Sequence, residues 1–229
     1  MKKFELTNEF ITNMFGTKLF RIRALVEFGD VEAGELGGYV EKESNLGHDD
    51  NAWVYDNAWV YDNAWVYGNA RVYGDAQVSG DARVYGNARV YGDAQVSGDA
   101  RVCGNALVYD NAWVYGNARV CGDARVCGNA LVYDNAWVCG NARVCSDEDY
   151  AYAHGFGSVN RTTTFFRLKD GGVGVRCGCF YGTLAQFRDK IRETHGETKK
   201  AQEYLMLADL MELRFEEDEN EVGNRKYVE

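Results

Sequence analysis

The sequence predicts a mainly β protein whose central part is a solenoid of short parallel strands. From Val54 to Val144 a valine stands at every sixth position, with an alanine two residues before each. The segment from Gly68 to Tyr85 is repeated in the next eighteen residues, with Cys103 in place of Tyr85 as the single change. Gly-Asn, Gly-Asp and Asp-Asn pairs separate the units. Such pairs tolerate positive φ and tight bends, so they mark corners between strands.

Alternation of side chains along a strand assigns the repeat residues to two sides. Alanine and valine share the inner side and form a thin core, whereas Trp, Arg, Gln or Leu and the following Tyr, Ser or Cys share the outer side. A helix would require apolar residues at a period near 3.6, which a six-residue repeat does not match. The repeat therefore predicts short strands joined by corners.

The unit [GD]-[ND]-A-x-V-x resembles the hexapeptide repeat of left-handed parallel β-helices, in which three units form one triangular turn. This resemblance implies a left-handed coil of about five turns for the sixteen units present. The segments 18–54 and 160–196 resemble an uncharacterised phage and prophage family built on such a helix. That second resemblance implies a viral or prophage origin and carries no agreed activity.

Four regions are predicted: an N-terminal β cap at 1–50, the hexapeptide β-helix at 51–146, a linker at 147–160 and a C-terminal ββαα module with an acidic tail at 161–229. In the cap, two β-rich segments flank a turn at Phe15-Gly16, and Val40 and Leu46 form a degenerate repeat pair before the regular coil. An open solenoid end exposes unpaired strand edges, so a cap is a structural requirement.

The C-terminal module is predicted from turn and capping signals. Asp170-Gly171 is the bend of a β-hairpin, and Thr183 with Gln186 forms a capping box for a helix that reaches His195 and ends at Gly196. The apolar face of this helix comprises Leu184, Phe187 and Ile191. A second helix begins near Thr198 and carries Ala201, Tyr204, Leu205, Ala208 and Met211; its acidic extension is expected to fray.

Composition argues against several classes of protein. A net charge of −10 argues against general nucleic-acid binding. No apolar run approaches the roughly 20 residues of a membrane span, and no secretion signal follows the first lysines. We therefore expect a cytoplasmic location, in the host cell during infection or from a prophage. Cys177 and Cys179, placed on one side of a strand, could bind zinc together with His154 or His195, but the ligand set is incomplete, so no cofactor or metal is expected.

Residues eighteen positions apart are expected to stack into outer columns. The first face carries Trp53, Arg71, Arg89, Leu107, Arg125 and Arg143; the second Trp59, Gln77, Gln95, Trp113 and Leu131; the third Trp65, Arg83, Arg101, Arg119 and Trp137. The seven cysteines, an odd number, are interpreted as unpaired replacements of Tyr or Ser. The segment 104–121 recurs at 128–145, twenty-four residues later, so Leu107 and Leu131 fall on different faces. A site extending along one face would not survive that shift, which favours a scaffold role.

The arginine columns have two interpretations. They are either solvated surface, with Asp81–Arg83 and Asp99–Arg101 ion pairs, or a surface that binds an anionic partner. The candidate partner-binding residues are Arg83, Arg101, Arg119, Trp137, Arg161, Arg167 and Lys169. The first-turn tryptophans Trp53, Trp59 and Trp65 are expected to form an exposed apolar belt, which favours a homo-oligomer.

The sequence favours a non-enzymatic, phage-encoded interaction protein, in which the β-helix presents the C-terminal module to an unidentified host protein. Inhibition of a host defence component is the specific hypothesis. Two alternatives stay open. One is a binding protein that sequesters a nucleotide signal or another small molecule. The other is an acyltransferase of the hexapeptide type, which would bind coenzyme A and use His154 or His195, because the coil contains no histidine.

Overall fold

The computed structural model describes residues 2–157 and 161–216. The chain divides into two compact units, Met1–Tyr150 and Ala151–Glu229. The segment 147–160, predicted as a linker, instead contains a 3₁₀ turn at Asp147–Asp149 and a strand at Tyr150–Phe156. The alternation of tyrosine and alanine in that strand is a β pattern that its acidic and glycine-rich surroundings obscured. The acidic tail lies beyond residue 216, outside the described residues.

The first unit begins with an antiparallel cap. Strand β1 (Phe4–Thr12) pairs with β2 (Lys18–Ala24), and β2 pairs with β3 (Leu36–Val40). The turn between β1 and β2 contains Gly16 at φ +83°, which confirms the predicted turn at Phe15-Gly16. Strand β3 then pairs in parallel with the first full turn of the coil, so the cap and the coil share one sheet.

The coil consists of sixteen two-residue strands within residues 53–144. They are β4 (Trp53–Val54), β5 (Trp59–Val60), β6 (Trp65–Val66), β7 (Arg71–Val72), β8 (Gln77–Val78), β9 (Arg83–Val84), β10 (Arg89–Val90), β11 (Gln95–Val96), β12 (Arg101–Val102), β13 (Leu107–Val108), β14 (Trp113–Val114), β15 (Arg119–Val120), β16 (Arg125–Val126), β17 (Leu131–Val132), β18 (Trp137–Val138) and β19 (Arg143–Val144). Every third strand joins the same parallel sheet, which gives the first face β4-β7-β10-β13-β16-β19, the second β5-β8-β11-β14-β17 and the third β6-β9-β12-β15-β18. The predicted solenoid and its eighteen-residue register are confirmed.

The degenerate pair before the regular repeat extends the coil. Val40 pairs with Val60, and Leu46 forms a parallel bridge with Val66. Each offset is twenty residues, because two extra residues enter the first turn. The coil consequently makes about six turns instead of the five counted from the regular units.

The core of the coil is made of the repeated alanines and valines. From Ala52 to Val144 these side chains are 0–1% exposed. The corners are formed by residues at positive φ, such as Gly98 at +66° and Asp110 at +58°. Adjacent turns approach closely there, since a Cβ added to Gly98 would lie 3.0 Å from the amide nitrogen of Gly116. Glycine at these corners is therefore required by both backbone conformation and space.

The predicted tryptophan belt is wrong at its first member. Trp53 is 0% exposed, whereas Trp65 is 42% exposed. The cap covers Trp53, since the rings of Phe4 and Phe28 lie edge-on to its indole with centroid distances of 6.2 and 5.3 Å. The cap thus covers the first strand of the first face, and the three tryptophans do not form a continuous exposed belt.

The second unit contains, within residues 150–157 and 161–216, a four-stranded antiparallel sheet and two helices. The strands are β20 (Tyr150–Phe156), β21 (Arg161–Arg167), β22 (Val173–Cys177) and β23 (Phe180–Thr183), in that order, and the helices are α1 (Leu184–His195) and α2 (Lys199–Phe215). The predicted ββαα module therefore lacked the two outer strands. The hairpin bend at Asp170-Gly171, the Thr183–Gln186 capping box and the helix end at Gly196 are confirmed.

Candidate interaction surface

The third face of the coil carries a column of arginines. Arg83, Arg101 and Arg119 lie on neighbouring strands in register, and all three side chains are exposed. Parallel strands are about 4.8 Å apart, so three positive charges lie within roughly 10 Å along the axis. We call the column Trp65, Arg83, Arg101, Arg119 and Trp137 the arginine face.

Tryptophans form both ends of the arginine face. Trp65 precedes Arg83 in register and stacks on Tyr67, with ring centroids 4.0 Å apart. At the other end the guanidinium of Arg119 lies 5.2 Å from the ring centroid of Trp137, a cation–π contact. The face therefore combines charge with flat aromatic surface, the combination that is enriched at binding hot spots.

The arginines of this face are not neutralised as predicted. In the coil, whose residues are all described, neither Asp81–Arg83 nor Asp99–Arg101 forms an ion pair within 4.0 Å. A side chain and its neighbour two residues earlier lie on the same side of a strand only if the strand continues, and each strand here is two residues long. The aspartates lie at the corner, and their carboxylate oxygens are more than 4.0 Å from the guanidinium nitrogens of Arg83 and Arg101.

The first face differs because the cap neutralises part of it. Arg71 Nη1 forms an ion pair with Asp30 Oδ2 at 2.8 Å, and the Tyr55 hydroxyl donates to Asp30 Oδ1 at 3.1 Å. Burial raises the pKa of Tyr55 to about 12, so this hydroxyl stays protonated at neutral pH. Together with Asp56, Tyr73 and Arg89, these residues line a cleft of about 220 Å³.

The three candidate residues of the second unit do not form one cluster. Arg161 and Lys169 are exposed, but Arg167 is 6% exposed. The guanidinium of Arg167 lies 5.6 Å from the Phe215 ring centroid and donates to the Phe215 carbonyl at 3.5 Å. Arg161 and Arg167 stand at opposite ends of β21, about 20 Å apart. The expectation that Arg167 contributes to a surface cluster is therefore wrong.

Outer tyrosines form stacked ladders, as the repeat predicts. Tyr73, Tyr91 and Tyr109 on the first face have centroid separations of 5.0 and 4.9 Å with planes within 3°. On the third face Tyr67 stacks on Tyr85 at 5.0 Å. These separations match the spacing of the strands, so in-register pairing positions the rings.

The cysteines show one departure from the prediction. Cys127 and Cys145 form a disulfide, with Cα atoms 4.3 Å apart on adjacent strands of the first face. Cys103, Cys121 and Cys139 on the third face form no disulfide, and neither do Cys177 and Cys179. The contact with Cys121, together with burial, raises the pKa of the Cys103 thiol.

The Cys177–Cys179 pair is also placed differently from the prediction. Cys177 ends β22, Phe180 begins β23, and Gly178 at φ +58° turns the chain between them. Cys177 and Cys179 are thus not on one side of a continuous strand. Within residues 2–157 and 161–216, no group of three or more His, Cys, Asp or Glu side chains is arranged to hold a metal ion.

The three histidines lie outside the regular coil. His48 stacks on Phe4 with centroids 4.5 Å apart, its Nδ1 accepts the Lys3 amide at 3.2 Å, and burial lowers its pKa. In the second unit His154 Nδ1 lies 3.0 Å from Thr162 Oγ1, and His195 stacks on Tyr204 with centroids 5.9 Å apart. The contacts of His48 make it part of the packing of the cap.

The fold and its repeat define a β-solenoid protein of the repeat β-helix class. The family model described as YdcK Beta solenoid repeat matches residues 64–80, 76–92, 82–98, 94–110, 100–116 and 124–140. These matches cover less than a third of the chain, all within the coil, so the coil is similar to that repeat. No curated protein matches the sequence. Among the described helices, none is long and apolar enough to cross a membrane.

Proposed function

We propose that the chain is a non-enzymatic interaction protein whose coil is a rigid scaffold and whose arginine face binds an acidic surface on a partner protein. The observation that carries the proposal is the exposed column Arg83, Arg101 and Arg119, which has tryptophan at both ends and no ion pair to Asp81 or Asp99 within the described coil. A row of like charges without ion pairs gains from an oppositely charged partner.

The C-terminal unit is the second recognition element of this proposal. Its sequence is not repetitive, and Arg161 and Lys169 are exposed on it. The resemblance of the flanking segments to a phage and prophage family supports a host protein as the partner, in the host cytoplasm, with inhibition of a defence component as the specific hypothesis.

The test is affinity capture from a bacterial extract with tagged full-length variants, read by mass spectrometry. Replacement of Arg83, Arg101 and Arg119 together by glutamine removes the charge of the arginine face. Replacement of Arg89, Arg125 and Arg143 by glutamine changes the net charge equally on the first face and is the matched control. Glutamine is compatible with the repeat, since Gln77 and Gln95 occupy the equivalent position on the second face.

We expect the first triple variant to weaken a captured partner at least about tenfold, or 1.4 kcal/mol, whereas the control retains it. Equal loss in both triple variants would show that only net charge matters. Loss in an Arg161→Gln, Lys169→Gln variant, with the triple variants unaffected, would assign recognition to the C-terminal unit. Absence of any captured protein would refute the interaction proposal.

A second candidate function, sequestration of a small anionic ligand such as a nucleotide signal, is favoured by the cleft on the first face. The ring of Tyr55 stands at 89° to that of Tyr73, with centroids 6.3 Å apart, and Arg89 is exposed beside them. An aromatic edge and a guanidinium suit a base and a phosphate. A melting shift with adenine or guanine nucleotides that Arg89→Gln abolishes would support this function.

The acyltransferase alternative can be tested in the same melting assay with coenzyme A. If the chain is an acyltransferase, coenzyme A raises the melting temperature, and His154→Ala or His195→Ala removes the effect. A shift that neither substitution changes would argue against the two histidines as catalytic bases.

A further inference from the structure

Helix α2 has a second apolar face that the described residues of its unit, 151–157 and 161–216, do not cover. Tyr204, Ala208 and Met211 are buried against the sheet and α1. On the opposite side Met206, Leu210 and Leu213 are 71%, 54% and 68% exposed. We call these three side chains the outer stripe. An amphipathic surface helix normally has one apolar face, so a second one indicates a contact.

The spacing of the outer stripe is that of a helix pair. Its members are separated by four and then three residues. This is the d-a-d pattern with which two α-helices interlock side chains in a coiled coil. The stripe thus fits a second helix better than it fits a flat protein surface.

The residues beside the outer stripe carry opposite charges on its two flanks. Asp209 stands on one flank, in a g position, whereas Lys200 and Arg214 stand on the other, in e positions. Asp209 also pairs with Arg188 Nη2 at 2.8 Å within the chain and keeps its side chain 70% exposed. The side chain of Asp209 is therefore held in place by α1 and remains accessible to a second copy.

This charge arrangement decides between two orientations. In a parallel two-fold pair, the g flank of each helix faces the e flank of the other, which places Asp209 beside Arg214 of the second copy. In an antiparallel pair each flank faces its own equivalent, so Asp209 gains no basic neighbour, and the flank with Lys200 and Arg214 faces the same basic flank of the other copy. Only the parallel arrangement is electrostatically complementary to itself.

We propose that α2 is the contact of a parallel, two-fold symmetric dimer, in which Met206, Leu210 and Leu213 pack against the same residues of a second copy. In an isologous contact the same surface of both copies is buried, so the outer stripe of each copy covers that of the other. Three side chains a side are far fewer than the roughly twenty of a standard interface, so the dimer is weak and its population depends on concentration. Two copies would present two arginine faces, and binding to a multivalent partner would gain avidity.

The first experiment is sedimentation velocity of the full-length protein over a hundredfold concentration range. Leu210→Glu places an acid at the centre of the contact, and Met14→Glu, at a 91% exposed position in the cap, is the matched control. We expect wild type and Met14→Glu to shift towards a dimer with concentration, and Leu210→Glu to remain monomeric with an unchanged melting temperature. A wild-type monomer at every concentration, or equal association of all three, would overturn the proposal.

The second experiment tests orientation by cysteine cross-linking. Single cysteines at Met206 and at Leu213 stand about 10 Å apart along the helix. Both should form disulfides to their own equivalents in a parallel dimer, with the linked peptides identified by mass spectrometry because native thiols are present. In an equimolar mixture of the Met206→Cys and Leu213→Cys variants, an antiparallel dimer would instead link residue 206 of one copy to residue 213 of the other, and that result would refute the parallel arrangement.

Discussion

The ring of Phe28 lies edge-on to the indole of Trp53, with ring centroids 5.3 Å apart. The two residues belong to the cap and to the first strand of the coil. Their contact, with that of Phe4, buries the largest side chain of the repeat, which would otherwise be exposed on the first face. The cap thus closes the end of the coil through a specific aromatic cluster as well as through strand pairing.

Replacement of Trp53 by alanine should therefore lower the stability of the fold far more than the same replacement at Trp65, two repeat units later. We expect Trp53→Ala to lower the free energy of unfolding by about 3–5 kcal/mol through lost burial and a cavity. Trp65→Ala, at a 42% exposed position on the third face, should cost about 1 kcal/mol. Urea unfolding monitored by circular dichroism gives both values, and equal losses would contradict the role assigned to the cap.

Substitution of a corner glycine by alanine should lower the stability more than substitution by aspartate. Gly98→Ala forces a side chain into positive φ and against Gly116, and we expect a loss of about 2 kcal/mol. Gly98→Asp should lose about 1 kcal/mol less, because Asp110 at an equivalent corner accepts the amide of Gly128 at 3.2 Å. Gly16→Ala is the control, with positive φ but no atom within 4 Å of the new Cβ. A cost for Gly16→Ala equal to that for Gly98→Ala would show that crowding between turns is unimportant.

Lys3 should give the stability a characteristic pH dependence. Its ammonium donates to the Ala52 carbonyl at 2.8 Å, and burial lowers its pKa from 10.5 to about 8. Between pH 8 and 10.5 the unfolded chain binds the proton that the folded chain has released, so this group makes stability rise with pH across that window. Lys3→Met should remove this rise. Urea midpoints of both proteins at pH 7.5 and pH 9.5 test it, and parallel changes in the two proteins would refute the assignment.

The arginine face should contribute little to stability. Arg83, Arg101 and Arg119 are like charges on adjacent strands, and such neighbours repel. Arg101→Gln is expected to be neutral or stabilising by up to about 0.5 kcal/mol, with the gain reduced at about 1 M salt by screening. Arg71→Gln, which removes the ion pair with Asp30, is the comparison and should not be stabilising. A loss above about 1 kcal/mol for Arg101→Gln would indicate a structural role for the column.

The arginine column could be predicted from the repeat, but its ion pairing could not. Register follows from the six-residue period, so Arg83, Arg101 and Arg119 were placed together correctly. The Asp81–Arg83 pairing failed because it assumed a continuous strand across a corner. Arg167 was misplaced because its surroundings depend on Phe215, forty-eight residues later. No local sequence pattern predicts a contact between residues so far apart in the chain.

The sequence by itself determined the coil, with its strands, its alanine–valine core and its columns, and also the helix cap at Thr183. Each of these depends on neighbours a few residues away or on an identical unit one turn away, so periodicity and capping signals suffice. The tertiary structure alone decided that Trp53 is buried, that β20 and β23 complete a sheet and that α2 exposes a second apolar stripe. These features arise where unlike segments meet, and the burial of a side chain there depends on packing between residues that are distant in sequence.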